Sequence, residues 1–190
     1  MPDYFAAFLD LRGRRCLVVG GGTVGERKVR DLLACGASVT VVSPALTPGL
    51  TVLARSAAVA WKPRRFLRTD VRRCRLVIAA TGIASVDRVV AQEARRHRAL
   101  INVVDRPAAC DFIVPSVLRR GELQIAVSSG GRSPALAREI RRRLEPQFGP
   151  EYAELVERIG RQRARARAGA LTPAARRQAG ERIVALADLG

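Results

Sequence analysis

Four places in the sequence carry residues whose types and spacing suit chemistry. Gly20-Gly21-Gly22-Thr23-Val24-Gly25 satisfies G-x-G-x-x-G directly after an apolar run and at the opening of a helical pattern. Glycines in that context permit a tight turn, let the backbone approach a pyrophosphate, and bring the charge to a helix N-terminus. The motif points to dinucleotide binding at Gly20, Gly21, Gly22 and Gly25; the plain alternative is a tight turn that binds nothing. About 20 residues further on, where a carboxylate ordinarily accepts the ribose hydroxyls, stand Ser43 and Pro44. No cation cluster for a 2′-phosphate adjoins Ser43 in the sequence, so NAD is expected over NADP. Asp105 ends the run Leu100-Ile-Asn-Val-Val-Asp105. At the carboxyl end of a parallel strand, such a carboxylate suits a general base; it could equally shape the turn before Pro107. Ser128-Ser129-Gly130-Gly131-Arg132-Ser133 is a second glycine-rich turn before a helix. Its hydroxyls, backbone N–H groups and Arg132 suit anionic oxygens, or form an ordinary helix cap.

Other reactive residues read as structural. Asp111, just before Phe112, is expected to anchor a loop, and Cys110 has no basic partner placed by sequence. His97, in Arg95-Arg-His-Arg98, reads as a solvated helix end. Four scattered cysteines without a CxxC pair, and a single histidine, give neither a zinc pattern nor a case for disulfides. No resident metal site is expected.

The elements that must position these residues alternate. Apolar runs at 16–20, 38–43, 59–61, 76–80 and 100–104 are separated by helical patterns at 24–36, 48–56 and 86–98. Continuous apolar strands between helices imply a parallel sheet covered on both faces. The expected fold is α/β: a Rossmann-like doubly wound sheet over residues 1–114, then a small region of one strand and three helices over residues 115–190. In that second region Leu123–Val127 reads as the strand. Ser133-Pro134 is a helix start, Glu151–Ala168 a second helix, and Thr172-Pro173 opens a third to about Leu186. The region looks too thin to fold alone.

Composition narrows the class. The 190 residues are 48% hydrophobic and 27% charged, which suits a globular chain rather than a disordered one. No apolar run spans a bilayer, and Met1-Pro2-Asp3-Tyr4 does not open a signal peptide, so a cytoplasmic protein is expected. The net charge is +17, almost all of the cations being arginine. A field this positive attracts polyanions. The arginine-rich helices read as solvated faces, and neither nucleic acid nor membrane is expected as a partner.

Five segments taken together resemble a known family. They are Cys16-Leu-Val-Val-Gly-Gly-Gly-Thr-Val-Gly-Glu-Arg-Lys28, Val39-Thr-Val-Val-Ser-Pro44, Asn102-Val-Val-Asp-Arg-Pro107, Cys110-Asp-Phe-Ile-Val-Pro-Ser116 and Ile125-Ala-Val-Ser-Ser-Gly-Gly-Arg-Ser-Pro-Ala-Leu-Ala-Arg138. In this order, from about residue 4 to 148, the chain is similar to the precorrin-2 dehydrogenases, the N-terminal module of siroheme synthases. The resemblance implies that NAD⁺ takes hydride from precorrin-2 to give sirohydrochlorin, and some members also insert Fe²⁺. It makes Asp105 the carboxylate of both reactions and puts NAD against Thr23, Val24, Pro44 and Ala45; Ser43 and Thr81 are also assigned to cofactor binding. It puts Ser128–Ser133 in the tetrapyrrole cleft. Because precorrin-2 is an octacarboxylate, Arg106, Arg119, Arg120 and Arg132 are assigned to it from their proximity to the motifs, together with Asn102. Family members are homodimers with interlocked second regions.

The chain also departs from the family pattern. Gly25 replaces the usual alanine, a change expected to be harmless. Thr81-Gly82-Ile83 stands where an acidic pair often follows Ala-Thr, and Asp87 replaces a frequent asparagine. The match fades beyond residue 150, and no methyltransferase module follows. A regulatory NAD sensor and a nucleic-acid-binding regulator are the alternatives from other classes. Replacing Asp105 by Ala separates them, because only catalysis depends on that carboxylate.

Overall fold

A computed structural model describes residues 4–168. It divides into two compact units, Met1–Ile113 and Val114–Gly190. The third expected helix, from Thr172, lies outside the described residues.

The first unit is a five-stranded, all-parallel sheet in the order β3-β2-β1-β4-β5. Its strands are β1 (Arg15–Val19), β2 (Ser38–Val42), β3 (Ala60–Lys62), β4 (Leu76–Ala79) and β5 (Leu100–Val103). Strand periodicity of two sends alternate residues to opposite faces. Cys16, Val18, Val39, Val41, Leu76 and Ile78 bury on one face beneath α1 (Thr23–Ala34) and α2 (Pro48–Arg55). Leu17, Val19, Val77, Ala79, Ile101 and Val103 bury on the other beneath α3 (Ala84–Arg96). Both faces are covered, so the strands read as unbroken apolar runs rather than as alternations. The doubly wound fold is as expected, with the order reversing between β1 and β4.

No full helix joins β3 to β4. A single 3-10 turn, Arg68–Val71, does so, and buried Asp70 holds it. The Asp70 carboxylate accepts from Lys62 Nζ at 2.8 Å, Arg64 Nη2 at 2.6 Å and the Leu67 N–H at 2.9 Å. Burial pushes this carboxyl up, but those donors outweigh it and hold it well below the usual carboxylate range.

The second unit corrects the expectation of a single strand. Ser116–Arg120 is β6, paired antiparallel with β7 (Leu123–Val127) through a turn at Gly121, φ +55°. Arg119 and Arg120 hide this strand in the sequence by ending an otherwise apolar run on charge. The helices α4 (Pro134–Leu144) and α5 (Glu151–Ala168) follow as expected. Arg120 clasps the hairpin to the end of α4, its Nε donating to Phe148 O at 2.7 Å and its Nη2 to Glu145 O at 3.4 Å. Leu118 and Ala137 are the only buried hydrophobics among the described residues of this unit, while Leu136 and Ile140 are exposed at 52% and 39%. Full burial of an aliphatic side chain stabilises by about 1.5–3 kcal/mol, so this thin core gives far less than the sheet does.

Candidate active site

The first glycine turn is shaped by close backbone approach. Gly20 follows β1 with φ +121°, and a Cβ there would collide with Ala80 O at the end of β4. A Cβ on Gly21 would strike Ala45 O, and one on Gly25 would strike Gly20 O. Glycine at position 25 in place of the family's alanine suits this backbone, because α1 packs against the turn too closely for a Cβ. Gly22 differs: it has nothing within 4 Å and caps α1 with an extended backbone and no side-chain hydrogen bond. The N-terminus of α1, with Thr23 and Val24 exposed in its first turn, is left facing open space.

The end of β2 forms the neighbouring wall. Thr47 N–H donates to Gly21 O at 3.0 Å, so the Ser43–Thr47 loop leans on the turn. Glu26 of α1 ties it down, accepting from Thr47 Oγ1 at 2.5 Å and from Arg30. These donors hold the Glu26 carboxyl below its ordinary value, Thr47 contributing most. Trp61 Nε1 donates to Ser43 O at 2.9 Å, and Ser43 N–H to Lys62 O at 3.3 Å. Pro44 and Ala45 are exposed beside it. A Cβ-excluding cradle, an uncapped helix N-terminus and a ribose-side loop free of acid fit the pyrophosphate and ribose of a nicotinamide dinucleotide.

Asp105 lies two residues beyond β5 rather than ending it. Arg106 N–H donates to Val103 O at 3.2 Å, closing a turn that holds Asp105 at φ +58°. Left-handed backbone is uncommon outside glycine, and aspartate tolerates it better than most residues. The Asp105 side chain is exposed and has no hydrogen-bond or ion-pair partner among the described residues. It thus stands, unneutralised, on the carboxyl edge of the same sheet as the glycine turn.

Its neighbours are committed to structure. Asn102, assigned to the substrate, is 8% exposed, and its amide donates to Phe112 O at 3.0 Å. The Cys110 thiol bridges Val103 N–H at 3.1 Å and Val103 O at 3.3 Å, and burial pushes its pKa up, so it is a structural thiol as expected. Asp111 accepts from Ile101 N–H at 3.2 Å and Arg95 Nε at 3.3 Å, anchoring the returning loop as expected. His97 is exposed at the end of α3. Thr81 Oγ1, placed on the cofactor edge, donates to buried Asp87 at 2.6 Å, and Thr81 N–H reaches the same oxygen at 3.3 Å. Asp87 and Glu26 are the positioning residues that sequence reasoning missed. The Thr47-Pro48 helix start was a visible cue to the second, whereas nothing in the spacing announced the first.

The second glycine turn satisfies itself with hydroxyls. Ser128 Oγ accepts from Gly130 N–H at 3.1 Å, Ser129 Oγ from Ser133 N–H at 2.9 Å, and Ser133 Oγ caps α4 through Leu136 N–H at 3.2 Å. Gly130 and Gly131 take φ +64° and +81°. What remains for an anion is the hydroxyl hydrogens and the exposed Arg132, which has no partner among the described residues. Arg120 is spent on the carbonyls of Phe148 and Glu145. Arg119, on β6, is exposed.

Comparison with known proteins adds identity to this geometry. Residues 7–116 match the family model for NAD(P)-binding proteins, and residues 120–147 match that for the central part of sirohaem biosynthesis proteins. A siroheme synthase of Methylococcus capsulatus is 41% identical over 182 residues, covering 96% of this chain and 38% of that protein. One from Nitrosococcus oceani is 43% identical over 163 residues, covering 86% of this chain and 35% of that protein. The chain thus spans well under half the length of these curated relatives. The solved structure of SirC, a precorrin-2 dehydrogenase, has the same fold, with a TM-score of 0.79 at 23% identity over 97% of this chain and 90% of that one. Glycine cradle, sheet order and both matched segments agree: the chain belongs to the family of NAD(P)-binding sirohaem biosynthesis proteins.

Proposed function

We propose that this protein catalyses the NAD-dependent dehydrogenation of precorrin-2 to sirohydrochlorin, with Asp105 as general base. The observation that carries the reading is the unpartnered Asp105 carboxylate on the sheet edge that also bears the dinucleotide cradle. NAD⁺, when bound, supplies the hydride acceptor. Gly20, Gly21, Gly22, Thr23, Val24 and Gly25 hold its pyrophosphate, and Ser43, Pro44 and Ala45 its ribose. Asp105 takes the proton that the substrate loses with its hydride, so the products are sirohydrochlorin, NADH and H⁺.

In support of NAD over NADP, Lys62 at the end of the strand beside Ser43, and Arg64 just after it, are both ion-paired to Asp70. The Ser128, Ser129 and Ser133 hydroxyls, with Arg106, Arg119 and Arg132, supply donors to the substrate carboxylates. Fe²⁺ enters as a second substrate, Asp105 then accepting pyrrole N–H protons. The exposed Leu136 and Ile140 of α4 support a homodimer, and the reaction belongs to the cytoplasm.

The test is anaerobic turnover of precorrin-2 with NAD⁺, followed through NADH and the sirohydrochlorin spectrum. Asp105→Ala is expected to lower turnover by roughly 10²–10⁴-fold while NAD⁺ affinity stays within about twofold. NADP⁺ is expected to bind about tenfold more weakly or worse. Fe²⁺ added afterwards should give siroheme faster than a control without enzyme. No turnover from folded, NAD⁺-binding protein would leave a sensor in place of an enzyme.

A further inference from the structure

One cavity in the first unit, lined by none of the glycines of the cradle, has an unusual rim. It measures about 190 Å³ and lies between α3 and the segment that returns from β5. Ala91, Val103 and Ala109 give it a small apolar floor. Arg88 and Arg106 also line it and are exposed, and neither guanidinium group has a hydrogen-bond or ion-pair partner among the described residues. A third arginine, Arg95, is already fixed: Nη2 donates to Ala109 O at 2.9 Å and Nε to Asp111 at 3.3 Å, so it builds the wall. Asp87 also lines the cavity but is 4% exposed, with one oxygen spent on Thr81.

The one carboxylate of the lining, Asp87, is turned to Thr81 and pairs with neither guanidinium group, and a carboxylate is their natural complement in geometry and sign. The volume lies below the roughly 300–1,000 Å³ of sites that enclose a whole drug-sized ligand. It suits a side arm. We infer that this cavity binds a carboxylate on a short methylene arm, its oxygens on Arg88 and Arg106 and its methylenes on Ala91, Val103 and Ala109. Resting on the proposed function, the arm is one of the acetate or propionate groups of the tetrapyrrole, since Arg106 follows Asp105 directly in the chain. Arg88 is then a specificity residue on a helix that none of the motifs includes.

Turnover of precorrin-2 and titration with sirohydrochlorin, each with wild type, Arg88→Gln and Arg88→Lys, test this. Arg55→Gln serves as a control for the loss of one positive charge elsewhere. Arg88→Gln is expected to raise the precorrin-2 KM and the sirohydrochlorin Kd about tenfold, close to 1.4 kcal/mol. The change in kcat should stay within about twofold, Arg88→Lys should recover part of the loss, and Arg55→Gln should change neither constant. Glutarate followed by NMR at the Ala91 and Ala109 methyls is expected to bind weakly and to be displaced by sirohydrochlorin. Equal constants for Arg88→Gln and wild type would overturn the inference while leaving the dehydrogenase intact. Glutarate bound alongside sirohydrochlorin would overturn it too, giving the cavity to a separate carboxylate. A wild type that neither binds nor oxidises the tetrapyrrole would instead remove the functional reading beneath it.

Discussion

The two glycine-rich turns look alike in sequence and are built in opposite ways. In Gly20–Gly25 the glycines are needed because neighbouring backbone occupies the space of a Cβ at three positions, Gly20, Gly21 and Gly25. No side chain caps the helix that follows. In Ser128–Ser133 a Cβ on Gly130 would meet nothing within 4 Å, and only its φ of +64° asks for glycine. There three serine hydroxyls take up the N–H groups of Gly130, Ser133 and Leu136. One turn leaves helix N–H groups for a ligand, and the other consumes its own and keeps hydroxyl hydrogens and an arginine. A glycine count cannot separate these devices. What does so is whether the residues flanking the glycines carry oxygens that reach back to the backbone.

Gly20→Ala should break this contrast hardest. It adds a collision with the Ala80 carbonyl to a backbone angle that alanine rarely adopts. A stability loss of about 3 kcal/mol is expected, read as a fall in thermal midpoint, with NAD⁺ binding lost beyond detection. Gly22→Ala sharpens the same contrast. At φ −80° and in open space it should leave the midpoint unchanged, yet weaken NAD⁺ binding by about tenfold by filling the approach to α1. Equal thermal losses for the two variants would contradict the assignment of separate roles.

The second turn should respond in stability alone. Gly130→Ala meets no neighbour, so its cost is the left-handed backbone, about 1–2 kcal/mol. Ser133→Ala removes the cap of α4 and should cost about 1 kcal/mol. Hydrogen exchange along α4 would register both losses. Isothermal titration should find NAD⁺ affinity unchanged in each, and a tenfold loss there would show that the turns do not act separately.

Much of this contrast was legible before any coordinates. The G-x-G-x-x-G turn, the five parallel strands and the Ser133 cap all rest on local signals: apolar runs, glycine spacing and a serine before proline. Other features depended on contacts between distant residues. Glu26 reaches Thr47 across 21 positions, and Lys62 and Arg64 meet Asp70 only because the chain folds back in a 3-10 turn. The same holds for Asn102, whose amide turns to Phe112 O ten positions on. The strand β6 escaped notice because Arg119 and Arg120 mask its period. That closeness to Gly20 O makes glycine necessary at position 25 is a property of packing rather than of pattern.

The smallest expected effect concerns acid, because only the first turn is braced by a titrating group. Glu26 has its carboxyl held below the ordinary value by the Thr47 hydroxyl and then by Arg30. A depressed folded-state pKa stabilises above the unfolded value, about 4.3 for glutamate, and that contribution drains as pH falls through the folded one. Hydrogen exchange compared at pH 6 and just below pH 4 should therefore show α2, whose cap Thr47 is the partner of Glu26, losing protection slightly. The start of α4, held by serine hydroxyls that do not titrate, should keep its protection in the same interval. Glu26→Gln should flatten the α2 response, because the amide can still accept from Thr47 but has no charge to lose. A pH-dependent loss that persists in Glu26→Gln would move the brace to another group, with Asp70, itself held well below the usual range, the next to replace.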